Sequence, residues 1–168
     1  MVGVIKMNEQ QYQKLLSKIR KSKQKERVFT FLCQYSPVSL IIIYTLLICY
    51  LFFTQSSLLL ETIFFPLFTL ILTTVLRKII NAPRPYDIYQ IEPLIKHHSG
   101  QSFPSRHTSS AWIIGYACLN VNTILGIFCI FIALYVAMSR VIAGVHFIKD
   151  VIAGILLSSL VGLFLFLV

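Results

Sequence analysis

The stretch SRVIAGVHFIKD, residues 139 to 150, decides how this chain folds. It places Ser139, Arg140, His146 and Asp150 between two apolar segments of the length that membrane helices have. Residues four apart share a face of an α-helix, so Asp150 can contact the imidazole of His146. A carboxylate that fixes one ring nitrogen leaves the other free as a nucleophile or base. The alternative is that His146 and Asp150 only make an ordinary polar contact at the end of a helix.

The composition is that of an integral membrane protein. Of the 168 residues, 57% are hydrophobic and 12% are charged, and the mean hydropathy is +0.78. A water-soluble domain carries about a quarter of charged residues. We therefore predict an all-α fold, a single helical bundle in the membrane.

Five apolar runs are long enough to be predicted as transmembrane helices, and one polar connection separates them into two groups. The predicted spans are residues 29–54, 58–76, 105–119, 124–140 and 146–168, and the polar connection is 77–108. A connection of this length with many prolines and aromatic residues is typical of a functional loop. We assign residues 1–28 to a basic N-terminal segment and residues 29–168 to the transmembrane domain.

The N-terminal segment is strongly basic. Eight of the fifteen Lys and Arg residues lie in residues 1–27. An amphipathic helix over residues 5–27 would lie in the membrane interface with one apolar face, formed by Ile5, Tyr12, Leu15, Leu16 and Ile19; a frayed basic tail is the alternative. A basic stretch ahead of a span binds anionic headgroups and sets topology, so we expect a membrane partner and no nucleic acid.

The positive-inside rule places the N-terminus in the cytoplasm. Residues 54–57 and 120–123, which contain no Lys or Arg, then lie outside. The polar connection, Arg140 and His146 all lie on the inner side. Three polar segments are therefore predicted to meet at one membrane face.

The second of these segments is FPSRHTSSAW, residues 103–112. Ser105 is placed to begin a helix, where backbone N–H groups and a hydroxyl can bind phosphate. His107, in the first turn, can donate a proton to a leaving oxygen. An ordinary helix cap with a surface histidine is the alternative.

The third segment is LRKIINAPRPYD, residues 76–87. Arg77, Lys78 and Arg84 supply positive charge, and the planar guanidinium of arginine matches phosphate oxygens two at a time. The alternative is a belt of cations whose stems lie along the membrane edge.

Together, the three segments resemble the type 2 phosphatidic acid phosphatase (PAP2) superfamily of lipid phosphate phosphatases. That family carries K-x6-RP, then PSGH, then SR-x5-H-x3-D. The third motif is complete here from Ser139 to Asp150, and the resemblance covers about residues 58–168. Two positions depart from the pattern: Arg106 replaces the glycine of PSGH, and Arg77, with Lys78 next to it, stands at the lysine position seven residues before Arg84.

The resemblance implies a role for each residue. His146, oriented by Asp150, would attack phosphorus and form a phosphohistidine, and His107 would protonate the departing oxygen and later activate water. Phosphate oxygens would be held by a set of polar and cationic residues: Arg77 or Lys78, Arg84, Ser105, Arg106 and Arg140. The resemblance implies no metal ion and no other cofactor.

A site at a membrane face indicates an amphiphilic substrate. Phosphatidylglycerol phosphate or phosphatidic acid fits a site on the cytoplasmic face of the plasma membrane, and an undecaprenyl or other isoprenyl diphosphate is the alternative. A vanadate-dependent haloperoxidase and a non-catalytic scaffold or lipid-binding protein with the same fold are rival hypotheses. The oligomeric state stays open.

Overall fold

The computed structural model describes residues 7–95 and 98–167, and this part of the chain is helical with no β-strand. The elements are α1 (Glu9–Arg20), α2 (Lys23–Phe53), α3 (Leu59–Ile80), α4 (Pro85–Ile88), α5 (Arg106–Val121), α6 (Thr123–Ile142) and α7 (Ile148–Leu163), followed by a 3-10 turn, Phe164–Phe166. The predicted all-α class is confirmed.

Four of the five predicted spans are helices long and apolar enough to cross a membrane, namely α2, α3, α6, and α7 together with the 3-10 turn that continues it to Phe166. The other, α5, has 16 residues and is therefore about 24 Å long, whereas the hydrocarbon core of a bilayer is about 30 Å thick. It packs against α2, α3, α6 and α7. The central helix of the bundle is thus shorter than α2, α3 and α6, and also shorter than α7 together with the 3-10 turn that continues it.

The outward surface of the bundle is apolar. Large hydrophobic side chains project from the long helices, among them Phe53, Leu60 and Ile124, which are 77% to 82% exposed. Such a surface is unfavourable in water and favourable against lipid chains. The chain is therefore a multi-pass membrane bundle.

The polar segments meet at one end of this bundle, where α3 and α6 end and α5 and α7 begin. The backbone N–H of Ser105 donates to the carbonyl of Asp150 over 2.9 Å, which joins the start of α5 to the start of α7. The N–H of Leu94, in the polar connection, donates to the carbonyl of Ala143 over 3.0 Å. This arrangement agrees with the prediction that the three polar segments meet at one membrane face.

The N-terminal segment contains a helix, α1, and not a frayed tail, but this helix is shorter than predicted. Ser22 caps the start of α2, so α1 ends near residue 20 and α2 begins at Lys23, ahead of the predicted span. Tyr12 and Leu16 are buried against the protein. Ile5 lies outside the described residues. The apolar face predicted for the membrane interface thus packs largely on the bundle.

Close contact between α5 and α7 depends on Gly154. A Cβ atom at this position would lie 3.0 Å from the carbonyl oxygen of Ser105 and 3.1 Å from the hydroxyl of Ser109. Any larger side chain has to push α7 away from the N-terminus of α5. The position of Asp150, one turn earlier on α7, therefore depends on the absence of a side chain at 154.

We expect Gly154→Val to lower Tm by about 5 °C, because overpacking of a tight interface costs about 1–3 kcal/mol. The matched control is Ala153→Val on the neighbouring, half-buried position of α7, which should leave Tm within about 2 °C of wild type. Thermal unfolding in detergent measures both variants. Equal Tm values for the two variants would contradict this account of the interface.

Candidate active site

His146 lies on the turn between α6 and α7, close to the carboxylate of Asp150. Gly144 forms this turn with a φ of +76°, a conformation that glycine adopts without strain. The side chain of His146 is buried, and its Nδ1 lies 3.5 Å from Oδ2 of Asp150. The predicted pairing is therefore present, although 3.5 Å is long for a direct hydrogen bond.

Ser102 lies between these two side chains. Its hydroxyl donates to Oδ2 of Asp150 over 2.5 Å, and its Oγ lies 3.2 Å from Nδ1 of His146. Since the hydroxyl of Ser102 donates its hydrogen to Asp150, its Oγ is left to accept a hydrogen bond from Nδ1–H of His146. Nδ1 then carries the proton, and Nε2 keeps its lone pair.

Sequence reasoning missed Ser102. It lies 44 residues before His146 in a loop, and no local pattern distinguishes it from the neighbouring serines. Only its two buried contacts identify it. The one weak signal is its position directly before the FPSRH stretch.

Asp150 is fully buried and is held by hydrogen bonds from two sides. Besides the Ser102 hydroxyl, Oδ2 accepts the backbone N–H of Phe147 over 2.9 Å, which closes the first turn of α7. Oδ1 has no hydrogen-bond partner within the described ranges. The carboxylate therefore acts on the start of its own helix as well as on His146.

Burial lowers the pKa of His146 to about 4. The nearby carboxylate of Asp150 raises the pKa of His146, while the positive charges of Arg84 and Arg77 lower it further. The imidazole is therefore neutral at pH 7. A neutral ring with a free Nε2 lone pair is the form that a nucleophile needs.

Two arginines from the third segment line the same rim. Arg77 donates to the carbonyl of Pro104 over 3.1 Å, and Arg84 donates to the carbonyls of Gly100 and Val145 over 2.9 and 3.2 Å. Both side chains are buried. Lys78, by contrast, is exposed, so the cation at the first-motif position that reaches the interior is Arg77.

The N-terminus of α5 places the next two candidates. Ser105 is buried, and its hydroxyl accepts a hydrogen bond from Thr108 over 3.0 Å. Its N–H is already used on Asp150, as described above, so this group is not available to a ligand. Arg106, the residue that replaces glycine, is exposed at the first position of the helix.

His107 borders a cavity of about 120 Å³ that is otherwise mostly apolar. Helices α2, α3 and α5 form its walls, and Arg106 lies at the same wall as His107. The apolar lining includes Pro37, Leu40, Leu70 and Ile114. Such a cavity accepts hydrocarbon next to a titratable and a positively charged group.

Arg140 is buried but is directed towards α2. Its Nη2 donates to the carbonyl of Cys33 over 2.8 Å, and its Nε has no partner among the residues described. In this structure the guanidinium joins α6 to α2 and makes no hydrogen bond with His146 or Asp150. Over residues 7–95 and 98–167 no group of three or more His, Cys, Asp or Glu side chains is arranged to hold a metal ion.

Residues 55–168 match the family model of the PAP2 superfamily. The chain belongs to the PAP2 superfamily. The resemblance predicted from the three motifs is thereby confirmed. The segment ahead of residue 55, which includes α1 and α2, lies outside the match.

Two relatives in the superfamily align with part of the chain. The undecaprenyl-diphosphatase BcrC of Bacillus subtilis (strain 168) is 32% identical over 84 residues, which are 50% of this chain and 44% of that protein. The bacitracin transport permease protein BcrC of Bacillus licheniformis is 38% identical over 76 residues, 45% of this chain and 37% of that one. The chain thus spans less than half the length of either relative.

Two solved structures share the fold. LpxE of Aquifex aeolicus superposes with a TM-score of 0.76 at 19% identity, over 100% of this chain and 99% of that one. The PAP2-type phosphatidylglycerolphosphate phosphatase of Bacillus subtilis superposes with a TM-score of 0.68 at 25% identity, over 91% and 81%. The first likeness concerns the fold alone.

The state of His146 can be measured directly. Titration of protein labelled with ¹⁵N-histidine should give a midpoint near pH 4 for the signal that is missing in His146→Ala. Since the unfolded chain binds this proton near pH 6.5, stability should also fall as the pH drops from about 6.5 to 4. A midpoint at or above 6.5 would contradict a buried neutral ring.

Proposed function

We propose that this PAP2 protein removes the terminal phosphate from a membrane lipid and carries it transiently on His146. The observation that supports this most strongly is the buried group of His146, Ser102 and Asp150 at one rim of a membrane bundle, where two buried arginines, Arg77 and Arg84, are also held. A neutral imidazole with one fixed nitrogen is suited to nucleophilic attack. Buried guanidinium groups are suited to a phosphoryl group that gains charge during transfer.

In the first step, Nε2 of His146 attacks phosphorus, and an N–P bond forms as the bond from phosphorus to the lipid oxygen breaks. The electron pair of that bond stays on the lipid oxygen, which takes a proton from His107. Asp150, through Ser102, keeps Nδ1 protonated and stabilises the positive charge that the ring acquires. His107 acts here as the general acid.

In the second step, water attacks phosphorus, and the N–P bond breaks with its electron pair returning to Nε2. His107, now neutral, accepts the proton of the water. Inorganic phosphate leaves, and both histidines are in their starting states. The cycle uses no metal ion or other cofactor, as the family resemblance implies.

The phosphate oxygens are held by positive and polar groups around the ring. We assign Arg77, in preference to the exposed Lys78, and Arg84 to this role, together with the hydroxyl of Ser105. Arg140 is proposed as a further phosphate ligand, and its unpartnered Nε supports this. Because the guanidinium groups of Arg77 and Arg84 are fixed by protein carbonyls at the rim, these two need little reorganisation when phosphate arrives.

We propose phosphatidylglycerol phosphate or phosphatidic acid as the substrate, taken from the cytoplasmic face of the plasma membrane. The basic N-terminal segment supports this orientation through the positive-inside rule. The apolar cavity beside His107 supports entry of a lipid chain between helices, with the scissile bond next to the general acid. Similarity to a phosphatidylglycerolphosphate phosphatase at 25% identity is consistent with the assignment.

A second candidate, an isoprenyl diphosphate, is favoured by Arg106. This residue is exposed directly beside His107, on the side where the leaving group departs. A diphosphate leaves as a lipid monophosphate, whose negative charge an arginine there would stabilise. One relative named above is an undecaprenyl-diphosphatase.

We expect phosphate release from at least one member of a panel of purified lipid phosphates, with His146→Ala reducing kcat by more than about 1,000-fold. The panel contains phosphatidylglycerol phosphate, phosphatidic acid and undecaprenyl diphosphate in detergent. Lys78→Gln, on the exposed neighbour of Arg77, is the control and should stay within about threefold of wild type. Full turnover by His146→Ala would remove the nucleophile assignment.

The two substrate classes are separated by Arg106→Gly, which restores the family residue. For a diphosphate substrate, kcat/KM should fall by about 10- to 100-fold, because a charge-assisted contact worth about 1.5–3 kcal/mol is lost. For a phospholipid monoester, we expect a change below about threefold. If Arg106→Gly alters both classes equally, Arg106 does not select between them.

A further inference from the structure

Helix α1 lies outside the residues that match the family, yet it contacts the active-site turn directly. The hydroxyl of Tyr12 donates to the backbone carbonyl of His146 over 3.0 Å, and Tyr12 is 0% exposed. One turn later, Leu16 packs at Gly144, where a Cβ atom would lie 3.6 Å from the Leu16 side chain. The N-terminal helix thus covers both halves of the turn that carries the nucleophile.

The backbone of this turn is held by three hydrogen bonds from two separate parts of the chain, the polar connection and α1. Three carbonyls of the turn each accept one hydrogen bond. The carbonyl of Ala143 accepts the backbone N–H of Leu94, and that of Val145 accepts Nη1–H of Arg84. The carbonyl of His146 accepts the hydroxyl of Tyr12. Two of these donors belong to the polar connection after α3. Tyr12 supplies the third, on the residue that carries the imidazole itself.

The ring of Tyr12 is fixed as firmly as its hydroxyl. It packs against Phe147 in an edge-to-face arrangement, with 6.2 Å between ring centroids, and against Tyr89 at 6.2 Å. Burial, together with the negative charge of Asp150, raises the pKa of Tyr12 above its ordinary value. The phenol therefore stays protonated and remains a hydrogen-bond donor at any pH where the protein works.

Further contacts anchor α1 itself to the polar connection. Arg20 donates to the carbonyl of Glu92 over 3.0 Å, and Gln13 donates to that of Gln90 over 3.4 Å. Just before α1 begins, the carbonyl of Met7 accepts a hydrogen bond from the hydroxyl of Tyr89 over 3.3 Å. The helix is therefore held along its length, and Tyr12 is delivered to one defined place.

We infer that Tyr12 is a positioning residue for His146. It acts through the backbone carbonyl of that residue and does not touch the substrate. The loss of its hydroxyl would leave the carbonyl unpaired in a buried place and allow the turn, and the imidazole with it, to shift. Because a displacement of about 1 Å at a reacting group can cost about 100-fold in rate, a modest shift is enough to matter.

The inference rests on the proposed function, in which His146 is the nucleophile. The test compares Tyr12→Phe with Tyr89→Phe, since each variant removes one hydroxyl from the same aromatic cluster and keeps the ring. Only the hydroxyl of Tyr12 reaches His146. We expect kcat to fall about 10-fold or more in Tyr12→Phe with KM within about twofold of wild type, and Tyr89→Phe to keep kcat within about twofold.

A second readout does not depend on activity. In protein labelled with ¹⁵N-histidine, the ring signals of His146 should shift in Tyr12→Phe and stay at their wild-type positions in Tyr89→Phe, at equal Tm of the two variants. Equal kcat values and unshifted His146 signals in both variants would overturn the positioning role. If the wild type releases no phosphate from any lipid, the proposed function fails, and the ring signals alone decide whether Tyr12 positions His146.

Discussion

The structure depends on keeping a carboxylate, Asp150, out of water at the edge of a membrane bundle. A buried charge of this kind is tolerated only when hydrogen bonds and opposite charges compensate its lost hydration. The Ser102 hydroxyl and the Phe147 N–H supply the hydrogen bonds, and nearby arginines supply the positive charge. Because Ser102 comes from the long polar connection, this one carboxylate requires the loop to fold back onto the start of α7.

The same requirement explains why the polar side chains gather at one end of the bundle. At one end, α5 begins beside Asp150, and the missing side chain at Gly154 allows the two helices to approach closely. α5 packs against four other helices, and the polar side chains of Ser105, His146 and Asp150 at this end are buried within the protein. Enclosure makes His146 neutral and keeps its tautomer defined, and both properties suit it to attack phosphorus.

Much of the candidate site could be predicted from sequence, because its candidate residues lie in short motifs. His146 lies on the turn before α7 and Asp150 in the first turn of that helix, and hydropathy locates the four long spans. Contacts made between distant segments could not be predicted. Ser102 is one serine among several in a loop, Tyr12 was predicted to lie in the membrane interface but bonds to His146, and Arg140 bonds to the carbonyl of Cys33 in α2. Residues 105–119 were predicted to span the membrane, whereas α5, with 16 residues, is not among the four helices long enough to do so.

The central claim is that phosphate passes through His146, and trapping the intermediate tests it most directly. The wild-type protein is mixed with a lipid phosphate labelled with ³²P at its terminal phosphate and quenched in alkali within milliseconds. The account predicts a label that is stable to alkali and labile to acid, that maps to the peptide containing His146, and that forms and decays at rates consistent with turnover. Turnover without any labelled protein, or a label on another residue, would contradict it.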